Sequence, residues 1–320
     1  MPHNLLHSAD STPKHLPQDS WRVFKASEEY IQLRRISELL SQERYSETFA
    51  FVNRLTQSGS IPAQYCQSVM LQQGIGTMKD ERNALQLLED ILRRIPKTVD
   101  PCEHNAALYY GQLAGYHLGM ALWIGGVKGQ DASKAAKWWI KGAECCYNMT
   151  DFLHYDEAVG HSCPLMNAAG IRCQMMLGRY YARTSQWESS LQWYEEAANK
   201  GSPEGAFEAG FLHWCGLGTT VNLPLAVDYL TFAAKHGNIC AMGSLAGLCL
   251  EEDNEEAAAL WAKKVIAYTG TTEATVETAL EALISLPRYE LGGERLRSSI
   301  ALAFYVNKQL GKQRARNALE

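Results

Sequence analysis

Along most of the chain, apolar residues with a helical period form two runs separated by a short loop. Residues 210–238, "GFLHWCGLGTTVNLPLAVDYLTFAAKHGN", show the arrangement clearly. The first run begins at Gly210, the loop contains Gly216 and Gly218, and the second run is centred on Tyr229. A period near 3.6 residues in both runs predicts two amphipathic helices joined by a turn.

The same spacing recurs in residues 68–91 and 119–143, and two copies with a shorter loop lie in residues 177–201 and 247–265. Each second run has one large apolar residue near its centre, and we expect these anchors to be core residues: Leu87, Trp138, Trp193, Tyr229 and Trp261. The later anchors are spaced as in helix-pair repeats of roughly 34 residues. The wider early intervals indicate insertions at 96–105 and 147–164.

An earlier pair is predicted in residues 28–59, where two apolar runs end at Gly59. Alternating β-branched residues typical of strands are scarce. The predicted fold is therefore all-α, a right-handed α-solenoid of antiparallel helix pairs.

The loop "GLGTT" at 216–220 has two interpretations, a phosphate-binding loop or a structural turn. Phosphate-binding loops have GxxxxGK[ST], and dinucleotide-binding loops GxGxxG, in each case after a strand. Here the glycines follow a helical run, and no Lys-Ser or Lys-Thr pair comes next. We therefore interpret the loop as a turn between helices.

The recurring pattern resembles the Sel-one-like repeat, a relative of the tetratricopeptide repeat. It has Gly-x-Gly in the turn, then Ala-x-x-Trp/Tyr-x-x-x-Ala-Ala-x-x-Gly, and residues 210–237 and 177–201 fit it best. The resemblance implies a non-enzymatic binding scaffold. The order of the repeats, followed by segment 265–313, is similar to adaptors for the lipoprotein-receptor relative megalin. That similarity implies a receptor's cytoplasmic tail, megalin's or a related one, as the partner.

The predicted organisation has five parts. They are a disordered N-terminus (1–20), a tetratricopeptide-like helix pair (21–60), a Sel-one-like repeat solenoid (61–268), a helical capping segment (269–313) and a basic tail (314–320). Whether the last repeat is complete, and whether the insertions cover the binding surface, stays open.

Composition and charge narrow the function classes. The net charge of −5 argues against a nucleic-acid partner, since such proteins show a basic patch or stripe. No apolar secretory leader or membrane-spanning run is evident. The nine cysteines are odd in number and form no CxxC pair, which favours free thiols in the cytoplasm.

Two chemical alternatives remain less favoured. A zinc site would draw on Cys and His residues in or near the insertions: Cys102, His104, Cys145, Cys146, His161 and Cys163. Their spacing matches no standard pattern. A hydrolase of this repeat type would need regular Cys pairs or an SxxK motif at the start of a helix, and we find neither. We therefore expect no catalytic residue, metal or cofactor.

The first helices of a solenoid line its concave surface, where partners bind. Each first helix has a small residue at the same repeat position: Ser68, Gly119, Gly178 and Gly210. The residues at positions −3, +1 and +4 from it form a stripe rich in aromatic residues, Met and Arg, the side chains typical of interface cores. The predicted peptide-binding residues are Tyr65, Tyr116, Met120, Trp123, Arg179, Phe207, Phe211 and Trp214. The alternative is that these side chains belong to the core between repeats. A scaffold with no receptor link is also open.

Overall fold

The computed structural model describes residues 28–95, 105–125, 129–145 and 168–251, with a few positions between 254 and 264. The helices bounded in these ranges are α1 (Glu28–Ser41), α2 (Tyr45–Gln57), α3 (Ile61–Gln73), α4 (Glu81–Arg94), α5 (Asn105–Ile124), α6 (Ala132–Glu144), α7 (Ala168–Arg183), α8 (Trp187–Asn199), α9 (Pro203–Cys215), α10 (Leu223–Lys235) and α11 (Ile239–Glu251). The predicted N-terminal segment 1–20, both insertions except Asn105, and the segments 269–313 and 314–320 lie outside the described residues.

Packed pairs are formed by α1–α2, α3–α4, α5–α6 and α9–α10. Helices α7 and α8 follow one another along the chain, and α11 is a further first helix. From α1 to α6, and again from α8 to α11, each helix packs against the next in sequence. The first helices α3 and α5 also contact each other. The described part of the chain contains helices and no strand, as the periodicity predicts.

The chain divides into two compact units, residues 1–180 (unit 1) and 181–320 (unit 2). The core of unit 1 joins α1–α6 through aliphatic side chains such as Val52, Leu85 and Leu118, each at most 1% exposed. The core of unit 2 joins α9, α10 and α11 around Leu230, Met242 and Leu245.

Short polar side chains begin several of these helices. Asp80, Asp131 and Ser202 each accept a hydrogen bond from the backbone N–H three residues later, at 2.9–3.0 Å. Such caps satisfy N–H groups that lack a partner within the helix. These residues therefore fix where α4, α6 and α9 begin.

The glycines of the Gly-x-Gly loop are structural. Gly216 ends α9 at φ +64°, and Gly218 follows at φ +75°. A side-chain carbon at Gly218 would overlap with the backbone carbonyl of Trp187 at the start of α8. The loop after α3 is built the same way, since Gly76 lies against the backbone of Tyr45 at the start of α2. Each second glycine thus lets one repeat's turn pack on the preceding second helix, and the turn interpretation is confirmed.

The predicted anchors of the second helices are wrong by one residue. Leu87, Trp138, Trp193, Tyr229 and Trp261 are only partly buried. The following residue in the first four helices is at most 1% exposed: Leu88, Trp139, Tyr194 and Leu230. Four residues earlier, each helix carries a small residue at 0% exposure: Ala84, Ala135, Ser190 and Ala226. The buried face is therefore rotated by about 100° from the predicted one.

Candidate functional site

Helix α5 carries a half-buried stripe of large apolar side chains. Its members are spaced by three or four residues and lie on one face: Tyr109, Leu113, Tyr116, Met120 and Trp123. The opposite face holds Leu108, Ala114 and Leu118, which are at most 4% exposed. The 20-residue helix contains no Asp, Glu, Lys or Arg. Water therefore reaches a face made of aromatic and aliphatic groups.

Helix α3 places Tyr65 beside this stripe. Its ring centroid lies 5.2 Å from that of Tyr110, and its hydroxyl lies 3.3 Å from Nε2 of His117. Burial raises the pKa of the Tyr65 hydroxyl above its ordinary value. Burial, and secondarily the Arg172 guanidinium, lower the pKa of His117. At neutral pH both groups are uncharged, so they offer hydrogen bonds without adding charge.

Helix α7 lies on the other side of α5, held there by the buried side chain of Gln112. The Gln112 amide NH₂ donates to the carbonyl of Cys145, and its oxygen accepts from the Gly170 N–H at 3.0 Å. The end of α6 and the start of α7 are thereby joined to α5. The Arg172 guanidinium carbon then lies 5.7 Å from the centroid of the Tyr116 ring. Arg179, two turns further along α7, is exposed.

These side chains form what we call the first-helix surface of unit 1. It consists of Tyr65, Tyr116, His117, Met120, Trp123, Arg172 and Arg179. Five of these were predicted from the sequence, and the structure leaves all five at least partly exposed. His117 and Arg172 were missed. Arg172 had a signal, because it lies seven residues before Arg179 and hence on the same helix face.

In unit 2 the predicted residues are placed differently. Phe207 and Trp214 are 5% and 7% exposed, and they pack in the core with side chains of α10 and α11. Phe211 is half-buried between them, with ring centroids 6.3 Å and 6.1 Å away. The alternative of an inter-repeat core thus describes Phe207 and Trp214 well. A peptide-binding role for the eight residues stays a prediction.

The sequence analysis also missed a histidine–carboxylate pair in unit 2. Nε2 of His213, a residue 5% exposed, lies 2.8 Å from a carboxylate oxygen of Glu195, and the Tyr229 ring stacks on the imidazole at 5.8 Å. Glu195 thereby joins α8 to α9.

The described residues show little that suggests catalysis. No group of three or more His, Cys, Asp or Glu among them is arranged to hold a metal ion. The six described cysteines are free thiols, and burial raises the pKa of Cys66 to about 11. Of the six proposed zinc ligands, only Cys145 is described. No described helix is both long and apolar enough to cross a membrane.

Comparison with known proteins finds similarity to one repeat family over part of the chain. The Sel1 repeat family matches residues 63–89, 112–145, 188–202 and 203–238. A solved Sel1 repeat protein from Oxalobacter formigenes is 19% identical, with 85% of this chain and 96% of that chain covered and a TM-score of 0.53. A protective antigen of uropathogenic Escherichia coli strains that displays an SLR fold is 16% identical, with 92% of this chain and 64% of that chain covered and a TM-score of 0.37.

These matches agree with the helix pairs of the structure. The segments 63–89, 112–145 and 203–238 fall on α3–α4, α5–α6 and α9–α10. They leave out residues 28–59 and 247–265. With the first structural match, they confirm the predicted all-α solenoid fold. The similarity to megalin adaptors is not confirmed and stays a prediction.

Proposed function

We propose that this Sel1-repeat protein is a non-enzymatic scaffold that binds a peptide segment of a partner protein on the first-helix surface of unit 1. The half-buried stripe of α5 is the observation that carries the proposal. It presents Tyr116, Met120 and Trp123 to water on a helix with no charged residue. Repeats of this kind are generally binding scaffolds.

The packing around the surface supports binding without rearrangement. Gln112 joins α5 to its neighbours, and the opposite face of α5 lies in the core. The aromatic groups are therefore held in place before a partner arrives, and most of the ordering entropy falls on the peptide. Half-buried aromatic side chains with an adjacent Arg are typical binding hot spots, each worth about 2 kcal/mol or more.

The finer form of the proposal names the partner and the compartment. The order of the repeats and the segment 265–313 resemble megalin adaptors, so we propose the cytoplasmic tail of megalin or a related receptor as the peptide. The cytoplasm is then the compartment, which also fits the odd number of cysteines.

A calorimetric titration with a synthetic megalin cytoplasmic tail tests the finer proposal. We expect saturable binding to the full chain and at least tenfold weaker binding to Tyr116→Ala/Met120→Ala. Met78→Ala is the control, because Met78 is an apolar side chain that is 85% exposed in the loop between α3 and α4. Far-ultraviolet circular dichroism checks that each variant keeps its helicity. Absence of any binding would exclude this receptor as the partner.

The scaffold proposal is tested separately with a random library of displayed 12-residue peptides selected on the full chain. We expect a set of binders that Tyr116→Ala/Met120→Ala no longer retains and that Met78→Ala still retains. A scaffold that serves another complex would give this result without binding the megalin tail. If the recovered peptides bind the double variant as well as the unchanged chain, peptide binding at this surface is refuted.

A further inference from the structure

Charge is distributed unequally between the two kinds of helix in unit 1. The second helices α4 and α6 carry both signs, as in "ERNALQLLEDILRR" and "ASKAAKWWIKGAE". The first helices α3 and α5 carry no Asp, Glu, Lys or Arg, and α7 carries three arginines with no acidic residue. The fixed charges on these three helices are therefore all positive.

Two of the three arginines lie at the first-helix surface. Arg172 and Arg179 are seven residues apart, which places them on one face of α7 about 10 Å apart along its axis. Both are exposed. In the part of the chain that the structure describes, neither has a carboxylate within ion-pair distance. Elsewhere in unit 1, Arg34 and Arg35 pair with Glu38 at 3.4 Å.

The described neighbours of Arg172 do not compensate its charge. Tyr116 faces it with a ring, which attracts the guanidinium but carries no negative charge. His117 and Tyr65 are neutral at neutral pH because burial disfavours their charged forms. A guanidinium prefers a planar bidentate partner such as a carboxylate. Among the described residues, the surface thus combines aromatic groups with two cations that have no anionic partner.

The corresponding helices of unit 2 do not have this character. The charged residues of α9 and α11, apart from His213, are Glu204, Glu208 and Glu251. An acidic ligand would be repelled there. Charge complementarity therefore restricts an acidic partner to unit 1.

On these grounds, and resting on the proposed scaffold function, we infer that the first-helix surface of unit 1 selects peptides in which Asp or Glu lies next to aromatic or aliphatic residues. The carboxylates pair with Arg172 and Arg179, and the apolar side chains cover Tyr116 and Met120. Basic peptides are disfavoured because they bring like charges together.

The composition of the peptides selected from the library tests this inference. Binders that depend on Tyr116 and Met120 should be rich in Asp and Glu and poor in Lys and Arg. For an acidic binder, we expect Arg172→Gln/Arg179→Gln to weaken binding about five- to twentyfold at low salt, and 0.5 M NaCl to weaken binding to the unchanged chain similarly. Arg34→Gln/Arg35→Gln changes the net charge equally and should leave affinity within about twofold.

Each other outcome has a definite meaning. Binders that depend on Tyr116 and Met120 without acidic enrichment would overturn the inference and leave the scaffold standing. Equal effects of the two arginine pairs would also overturn it, because net charge alone would then explain the preference. Self-association abolished by Tyr116→Ala/Met120→Ala would assign the surface to a second copy of the chain.

A segment of the chain itself is the remaining candidate occupant. The insertion 147–164 contains Asp151, Asp156 and Glu157 beside Phe152 and Tyr155. Replacing the three acidic residues with the corresponding amides should change peptide affinity less than threefold if the surface binds a partner protein. An increase of tenfold or more would assign the surface to this insertion and overturn the inference.

Discussion

Replacing two neighbouring tryptophans of α6 in turn tests whether the buried face of this helix contains Trp139, as in the structure, or Trp138, as predicted from the sequence. Trp139 is 0% exposed, and the face of α5 that it meets has glycine at position 119, where a side-chain carbon would overlap with the indole. Truncating a fully buried Trp to Ala costs about 3–5 kcal/mol. The indole N–H of Trp139 is buried with no hydrogen-bond partner among the described residues, so its removal offsets about 1 kcal/mol of the loss. We therefore expect Trp139→Ala to lower the free energy of unfolding by about 3 kcal/mol.

Trp138→Ala is the matched comparison, because it removes the same atoms one position earlier. Trp138 is half-buried, and its ring is covered on one side by the Lys141 ammonium group at 5.2 Å. A cation–π contact at an exposed site adds about 0.5–1 kcal/mol. With half the apolar area buried, the total loss should be about 1–2 kcal/mol.

Urea unfolding followed by far-ultraviolet circular dichroism compares the two variants, since Trp fluorescence would change with the substitution itself. The midpoint and slope give an apparent free energy for each chain. Equal losses of unfolding free energy, or a larger loss for Trp138→Ala, would refute the burial of Trp139 and favour Trp138 as the core residue of α6.

Two further predictions concern the repeat turn and alkaline pH. Gly218→Ala should destabilise the protein more than Gly201→Ala in the same urea assay. Both glycines have positive φ, which alone costs a substituted residue about 1 kcal/mol, but only a side chain at 218 would overlap with a neighbouring backbone. Equal losses would contradict the packing role of Gly218. Burial and then Glu195 raise the pKa of Tyr229 from 10.0 to about 12. The unfolded chain therefore loses this proton first, and the associated stability is complete below pH 10 and lost between pH 10 and about 12. Tyr229→Phe should make the fall of the unfolding free energy over this range shallower, and an unchanged slope would contradict the role of this hydroxyl.

Much of the fold was predictable because helix pairs leave strong local signals. The turn glycines, the polar caps and the recurring spacing are each set by residues close in sequence. The rotation of the second helices was not predictable in this way. Trp138-Trp139, Trp193-Tyr194 and Tyr229-Leu230 are doublets of large side chains, so an apolar period fits either member. The small residues on the buried face decide the register, and size matters there only once a neighbouring helix is present.

The candidate site was likewise predictable from the sequence only in part. The repeat register predicted which first-helix residues share a stripe, and in unit 1 those residues are partly open to water. The same positions in unit 2 became core, because Phe207 and Trp214 pack with side chains of α10 and α11. Burial at these positions depends on what packs beside the helix, and that information is not local. The contact of His117 with Tyr65 likewise joins residues 52 positions apart.

The lack of charge on α5 is what connects the fold to a function. A first helix must pack between neighbours, which explains small residues such as Gly115 and Gly119 on its inner face. Packing does not explain why the partly exposed positions of this helix hold Tyr116 and Met120 in place of Lys or Glu. The second helices of the same unit, such as α4, place charged residues at their exposed positions. An apolar exposed stripe is a liability for a free surface and an advantage for one that is covered. The arginines beside the stripe are the reason that we infer an acidic partner.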